Sequence, residues 1–155
     1  MKRLYVNPEP CTGCFNCMAV CEQRRTGGMA PGRAVIQVGL APFSGRHEFT
    51  WCRQCREATC AAACGQGAIA RNELTGAWQI EQTRCRRCGS CITACPFNAM
   101  RWDDDLGPLK CDLCGGAPLC VEACHFGVLQ YCESASRPPR GIPNEDLDPA
   151  LGWGE

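Results

Sequence analysis

Sixteen of the seventeen cysteines of this 155-residue chain fall into four blocks of four. The blocks are Cys11, Cys14, Cys17, Cys21; Cys52, Cys55, Cys60, Cys64; Cys85, Cys88, Cys91, Cys95; and Cys111, Cys114, Cys120, Cys124. Blocks one and three share the spacing C-x2-C-x2-C-x3-C, and Pro96 follows the third. Cysteine at 17 of 155 residues, about 11%, marks either a disulfide scaffold or a metalloprotein. Much of the 45% hydrophobic fraction is cysteine itself, and aromatic residues make up only 7%. The apolar core is therefore thin, and folding is expected to be coupled to whatever the cysteines hold.

The four blocks are an internal repeat that organises the rest of the chain. Short apolar segments follow them: Ala34–Val38, Gly67–Ala70, Asn98–Trp102 and Gly127–Tyr131. These read as short strands, and Trp78–Ile80 reads as the partner of the strand around Ile69. The last two cysteines of each block lie four residues apart, about one helical turn, so Cys17–Cys21 and Cys91–Cys95 read as short helices. Each unit is then loop, short helix and short strand, an α+β arrangement. From Ser134 onward the composition changes to a proline-rich stretch without cysteine, ending in Leu151 and Trp153. That stretch is either a flexible tail or a docking arm for a partner.

Four thiolates suit zinc or an iron–sulfur cluster. Structural zinc sites usually present two well-separated C-x-x-C pairs, whereas here three cysteines crowd within seven residues and a fourth follows directly. Iron–sulfur clusters are the favoured reading, and a zinc-stabilised interaction module is the alternative of a different class. Blocks two and four are looser, with four and five residues before the third cysteine, yet each retains a complete set of four. All four sites are thus expected to hold [4Fe–4S] clusters. A disulfide framework would need an exported chain, and residues 1–10 contain no signal-like apolar run. The simplest reading is a reducing cytoplasm, with export on a partner's signal still open. Sixteen basic and sixteen acidic residues give a formal charge of zero, so no global electrostatic case exists for nucleic acid or membrane surfaces, and no stretch is long enough to span a bilayer. No G-x-G-x-x-G follows a strand, and no residue set suggests a substrate pocket.

The ordered runs Cys11-Thr12-Gly13-Cys14, Trp51-Cys52-Arg53-Gln54-Cys55, Arg84-Cys85-Arg86-Arg87-Cys88-Gly89-Ser90-Cys91, Cys95-Pro96-Phe97-Asn98 and Leu109-Lys110-Cys111-Asp112-Leu113-Cys114 carry a resemblance. Over about residues 3–132 the chain resembles the four-cluster ferredoxin-type electron-transfer subunits of molybdenum and tungsten oxidoreductases. These include the dimethyl-sulfoxide-reductase, formate-dehydrogenase and aldehyde-oxidoreductase groups, and some hydrogenases. The resemblance implies a ferredoxin-like polyferredoxin over residues 1–133, built from two pseudo-symmetric two-cluster modules, with 134–155 as tail. It pairs block one with block four and block two with block three. Cluster 1 would take Cys11, Cys14, Cys17 and Cys124; cluster 2, Cys111, Cys114, Cys120 and Cys21. Cluster 3 would take Cys52, Cys55, Cys60 and Cys95; cluster 4, Cys85, Cys88, Cys91 and Cys64.

The implied function is single-electron relay by a non-catalytic subunit in a complex with a large pterin tungsten or molybdenum subunit and a flavin or other redox partner. An aldehyde-oxidoreductase-type small subunit is the leading specific expectation. A free-standing or hydrogenase-linked carrier is the alternative within electron transfer. A cluster line open at both ends also allows end-to-end self-association. The chain departs from the family pattern where Gly65 and His125, rather than proline, follow a block's last cysteine.

Beyond the blocks, His125 is expected to be exposed beside a site, His47 to lie at the surface and Cys132 to be an unused thiol. Trp51 and Trp102 are expected in the core. Arg53, Arg56, Arg84, Arg86 and Arg87 crowd the inner blocks. They form either a solvated basic face or a source of positive charge near anionic clusters, which would raise their potentials.

Overall fold

The computed structural model describes residues 2–29, 31–41, 43 and 45–133. The expectation of a tail or docking arm at 134–155, with Leu151 and Trp153, lies outside the described residues. The described elements run β1 (Lys2–Val6), α1 (Asn16–Thr26), β2 (Gln37–Leu40), β3 (His47–Thr50), α2 (Thr59–Ala62), β4 (Ile69–Arg71), β5 (Trp78–Ile80), α3 (Ser90–Thr93), β6 (Arg101–Asp103), β7 (Gly107–Leu109), α4 (Leu119–Glu122) and β8 (Leu129–Glu133). The strands make four two-stranded antiparallel sheets. Three are hairpins, β2–β3, β4–β5 and β6–β7, and the fourth joins β1 to β8 across the whole described chain. The register Ile69↔Ile80 is the pairing the apolar segments suggested.

Helices α2, α3 and α4 are single turns of four residues, too short to stand alone in water. Each is held by a buried cysteine, Cys60, Cys91 or Cys120, that packs inward. Helix α1 runs beyond the expected Cys17–Cys21 to Thr26. It stops at Gly27, whose left-handed backbone (φ 71°) lets its N–H donate to the Gln23 carbonyl. Arg24 and Arg25 occupy its last turn, where positive charge complements the helix dipole.

All four strands that follow the blocks start two or three residues later than the apolar runs suggested, that after block two at Ile69 rather than Gly67. Ala34, Val35 and Ile36 all bury, so that run wedges into the core as irregular chain, and pairing begins only at Gln37. After blocks three and four, Asn98 and Gly127 first turn the chain through left-handed backbone, and pairing starts at Arg101 and Leu129.

The interior consists of two apolar clusters. One gathers Leu4, Val6, Val35, Ile36, Trp51, Leu109, Leu113, Val128 and Leu129 around Cys21 and Cys120. The other gathers Ala58, Ile69 and Met100 around Cys60 and Cys91, with Trp78 and Ile80 against them. Trp51 is in the core as expected, but Trp102 is 46% exposed, which corrects its assignment there. On the β6–β7 hairpin the inward place goes to Asp103, whose Oδ1 accepts from the backbone N–H groups of Asp105 and Leu106 (2.9 and 2.8 Å). Its Oδ2 accepts from Arg33 Nε at 2.6 Å. Strand alternation then turns Trp102 outward.

Candidate metal centres

Each block begins with the same backbone device. The residue just before the second cysteine is left-handed in all four: Gly13 (φ 71°), Gln54 (φ 52°), Arg87 (φ 53°) and Leu113 (φ 54°). Only Gly13 adopts this conformation without steric cost, and a side chain there would also meet His47, since a Cβ would lie 2.5 Å from its Nε2. The other three store roughly 1–2 kcal/mol of strain each. Strain recurring at one position of a repeat marks a functional constraint. Here it curls successive N–H groups into a concavity of the kind that receives anions and iron–sulfur centres. The exits from blocks two, three and four also repeat. Gly67, Asn98 and Gly127, each three residues past the last cysteine, are left-handed and donate their N–H to the carbonyl of Cys64, Cys95 or Cys124 (2.9, 3.2 and 3.4 Å). The next residue then donates to the thiol sulfur twice, Ala68 to Cys64 Sγ at 3.3 Å and Ala99 to Cys95 Sγ at 3.4 Å.

The sixteen block cysteines line four cavities. Cys11, Cys14, Cys17 and Cys124 line the first, with Phe15 and Phe126 at its rim. Cys111, Cys114, Cys120 and Cys21 line the second, which also touches Cys52. Cys52, Cys55, Cys60 and Cys95 line the third. Cys85, Cys88, Cys91 and Cys64 line the fourth. Each cavity therefore combines three cysteines of one block with the last cysteine of another. The fourth has a volume of about 310 Å³, room for a multi-atom inorganic unit, while the other three have about 20 Å³ each.

The cavities follow one another. Charge on Cys17 reaches Cys120, joining first to second; charge on Cys52 reaches Cys111, joining second to third; charge on Cys60 reaches Cys91, joining third to fourth. Cys14 and Cys88, in the first and fourth cavities, are the two exposed cysteines.

The thiols fit a cationic inorganic core. No disulfide links any of the seventeen cysteines. Burial, reinforced by the neighbouring Cys124, pushes the Cys17 thiol up to about 11. Burial does the same to Cys91, up to about 11, and to Cys111, up to about 12. Cys55, Cys60 and Cys120 are raised for the same reason. Crowded, desolvated thiolates are costly alone and become favourable around iron, whose charge inverts the local balance. Cys88 is the opposite case, lowered by the Ser90 hydroxyl 3.4 Å from its sulfur.

Two cations reach these thiols, Lys110 buried and Arg25 half-buried, and neither belongs to the arginine cluster singled out from the sequence. Lys110 is 4% exposed and its Nζ donates to Cys52 Sγ at 2.8 Å. Burial works against its charge, but Cys52, Cys60 and Cys111 hold its ammonium above the usual lysine range. Arg25 lies near Cys21 and Cys111, and its Nη2 donates to Asp112 Oδ1 at 2.7 Å. Of the expected group, Arg53 stacks on Trp51 with its guanidinium carbon 3.3 Å from the ring centre, and Arg56, Arg86 and Arg87 are exposed. Arg84 donates to the Gln66 carbonyl at 3.0 Å. His125 is exposed beside Cys124, as expected. His47, expected at the surface, is half-buried against Gly13. Cys132 lies on β8 opposite Arg3, outside all four cavities.

The family described as 4Fe-4S dicluster domain matches residues 47–134, more than half of the chain. The chain belongs to this family. It carries multiple [4Fe–4S] clusters, and the four-cysteine cavities are where its residues can hold them.

Over 123 residues the chain is 36% identical to the aliphatic sulfonate oxidoreductase, polyferredoxin-like subunit, of Pyrococcus furiosus, covering 79% of this chain and 70% of that one. It is 34% identical over 131 residues to the putative electron transport protein YsaA of Escherichia coli, covering 77% and 82%. It is 33% identical over 135 residues to the NADH-dependent phenylglyoxylate dehydrogenase subunit beta of Aromatoleum evansii. That match covers 84% of this chain but spans only 30% of the relative's length. Among solved structures, a chain of the active site complex BamBC of benzoyl coenzyme A reductase superposes with TM-score 0.51 at 25% identity, covering 98% of this chain and 87% of that one.

Proposed function

We propose that the chain is the electron-transfer subunit of a multisubunit oxidoreductase and relays single electrons through four [4Fe–4S] clusters, one per cavity. The observation that carries this reading is the row of four cavities, each closed by four cysteines, with an exposed cysteine at either end. The ligand sets follow the cavity linings: Cys11, Cys14, Cys17, Cys124; Cys111, Cys114, Cys120, Cys21; Cys52, Cys55, Cys60, Cys95; and Cys85, Cys88, Cys91, Cys64. Residues 1–133 then form one domain of two interlocked two-cluster modules, in keeping with the two apolar clusters, and residues 134–155 a proline-rich tail.

Each cluster, when bound, supplies one-electron storage. The chain's own residues fix the thiolates, keep water away from the buried cysteines and leave Cys14 and Cys88 accessible for exchange with partners. Chemistry on a substrate belongs to a partner subunit. The names of the Pyrococcus and Aromatoleum relatives support a place in an oxidoreductase complex. We assign the partner as a large pterin tungsten or molybdenum subunit, with a flavin subunit as the second redox partner, in the cytoplasm. Among the described residues no helix is long and apolar enough to cross a membrane.

Metal and acid-labile sulfide analysis of the complex purified without oxygen tests the reading. About sixteen irons and as many sulfides per chain are expected, together with tungsten or molybdenum in the co-purifying large subunit. A colourless chain holding a few zinc ions would overturn the electron-relay assignment. Iron without tungsten or molybdenum would overturn the partner assignment alone.

A further inference from the structure

The chain holds only two lysines among its sixteen basic residues. Lys2 sits on β1, its ammonium 5.9 Å from the Tyr131 ring centre. Lys110 follows the β6–β7 hairpin, directly before the first cysteine of block four, and it is buried where the second and third cavities meet. Its Nζ donates to Cys52 Sγ at 2.8 Å, and Cys52 lines both of those cavities. Among the described residues no carboxylate pairs with Lys110; its electrostatic partners are Cys52, Cys60 and Cys111. A buried cation without a counter-charge is strongly unfavourable, so the negative charge it requires must come from the sulfur ligands around it.

We propose that Lys110 is a potential-setting residue at the middle of the electron path. Its ammonium, fixed between the second and third centres, favours the reduced state of the centre held by Cys52, Cys55, Cys60 and Cys95, and to a smaller degree that of its neighbour held by Cys111. This rests on the ligand sets above. A positive charge stabilises the state that carries one more electron, and hydrogen bonds to a cluster sulfur do the same. The two end centres have no such buried ammonium, so this charge biases an electron entering from either partner toward the middle of the row. The geometry explains why this position carries lysine in a chain otherwise served by arginine. One compact charge on a flexible stem reaches a single sulfur in a space closed on all sides, where a planar fork of five donors would be left mostly unpaired.

The test is an EPR-monitored redox titration of the full cluster-loaded chain, wild type against Lys110→Met. The expected result is at least a tenfold fall in the reduction equilibrium constant of one middle centre, which is 59 mV for a one-electron couple. The end centres should stay within threefold of wild type. Iron near sixteen per chain with all four potentials unchanged would overturn this inference and leave the relay reading standing. Iron far below that in the wild type would overturn the relay reading instead. A second measurement needs no substitution. Lysine-selective 15N labelling of the wild type should give a nitrogen hyperfine coupling to a reduced middle cluster, because Lys2 lies on the outer strand pair. Its absence would overturn the proposal even where the methionine variant fails to assemble.

Discussion

Asp112 ties the last block to the first helix, and its removal should loosen the second centre by a predictable amount. Its Oδ1 accepts from the Cys114 backbone N–H at 2.9 Å and from Arg25 Nη2 at 2.7 Å, while Oδ2 accepts from Arg24 Nη1 at 3.2 Å. The Arg25 side chain is 12% exposed and that of Asp112 is 24%, so this pair is largely desolvated, while Arg24 at 34% is the weaker partner. Breaking a fully buried pair costs about 3–5 kcal/mol. Partial exposure, and the sulfur charge that remains beside Arg25, reduce that to about 2 kcal/mol here. Losing the cap on the Cys114 N–H adds about 1 kcal/mol.

Asp112→Asn keeps an acceptor for Cys114 and should cost about 2 kcal/mol, whereas Asp112→Ala should cost about 3 kcal/mol. Read as the rate at which the visible cluster absorbance bleaches in guanidinium, these are ceilings of roughly 30-fold and 150-fold. Arg25 and the backbone bond hold the Asp112 carboxyl below the usual carboxylate range, against the effect of burial. Its contribution is therefore fully present above the unfolded value of ~3.9 and is lost as pH falls through the lower folded value. The gap between wild type and Asp112→Asn should narrow in that acid window and nowhere above it. An asparagine variant that bleaches as fast as the alanine variant, or a gap unchanged by acid, would refute the reasoning.

Three further outcomes are expected. Gly13→Ala should destabilise the cluster-loaded chain by about 1–2 kcal/mol from its left-handed backbone alone, with an added clash against His47; pairing it with His47→Ala should remove the clash and leave the backbone cost, measured by the same bleaching rates. Met100, 2% exposed in the apolar cluster behind Cys60 and Cys91, should cost about 2–5 kcal/mol as Met100→Ala, and iron should then be lost first from the third and fourth centres, as followed by EPR. Cys21→Ala should disturb the centre whose other three ligands are Cys111, Cys114 and Cys120, and a spectrum altered instead at Cys11, Cys14 and Cys17 would refute the crossed assignment.

The cysteine spacing made the cavities legible because cysteine reports its partners by separation along the chain. The crossing of last cysteines between blocks was not readable from spacing and entered only through the family resemblance. The left-handed residues were nearly silent: Gly13 advertises its conformation, but Gln54, Arg87 and Leu113 adopt the same one at a cost no propensity reveals. The cations show a similar limit. Arg84, Arg86 and Arg87 stand next to cysteines in sequence, yet the ammonium that reaches a thiol comes from Lys110, whose target Cys52 is 58 residues away. The scarcity of lysine was the available signal. Trp102 was misplaced because a lone aromatic on a three-residue strand can face either way, and the turn-capping carboxylate of Asp103 decided which.

The pairing of β1 with β8 sets Lys2 directly across from Glu133. A polypeptide that enters this unit leaves it again at the same edge, a few ångströms from where it came in. Such a unit behaves as a cassette: it can be spliced into a longer chain, or flanked by other domains, without stretching or threading any of the blocks between. The zipped edge also spans the half of the unit that holds the first two cavities, since Leu129 lines the first and Leu4 the second.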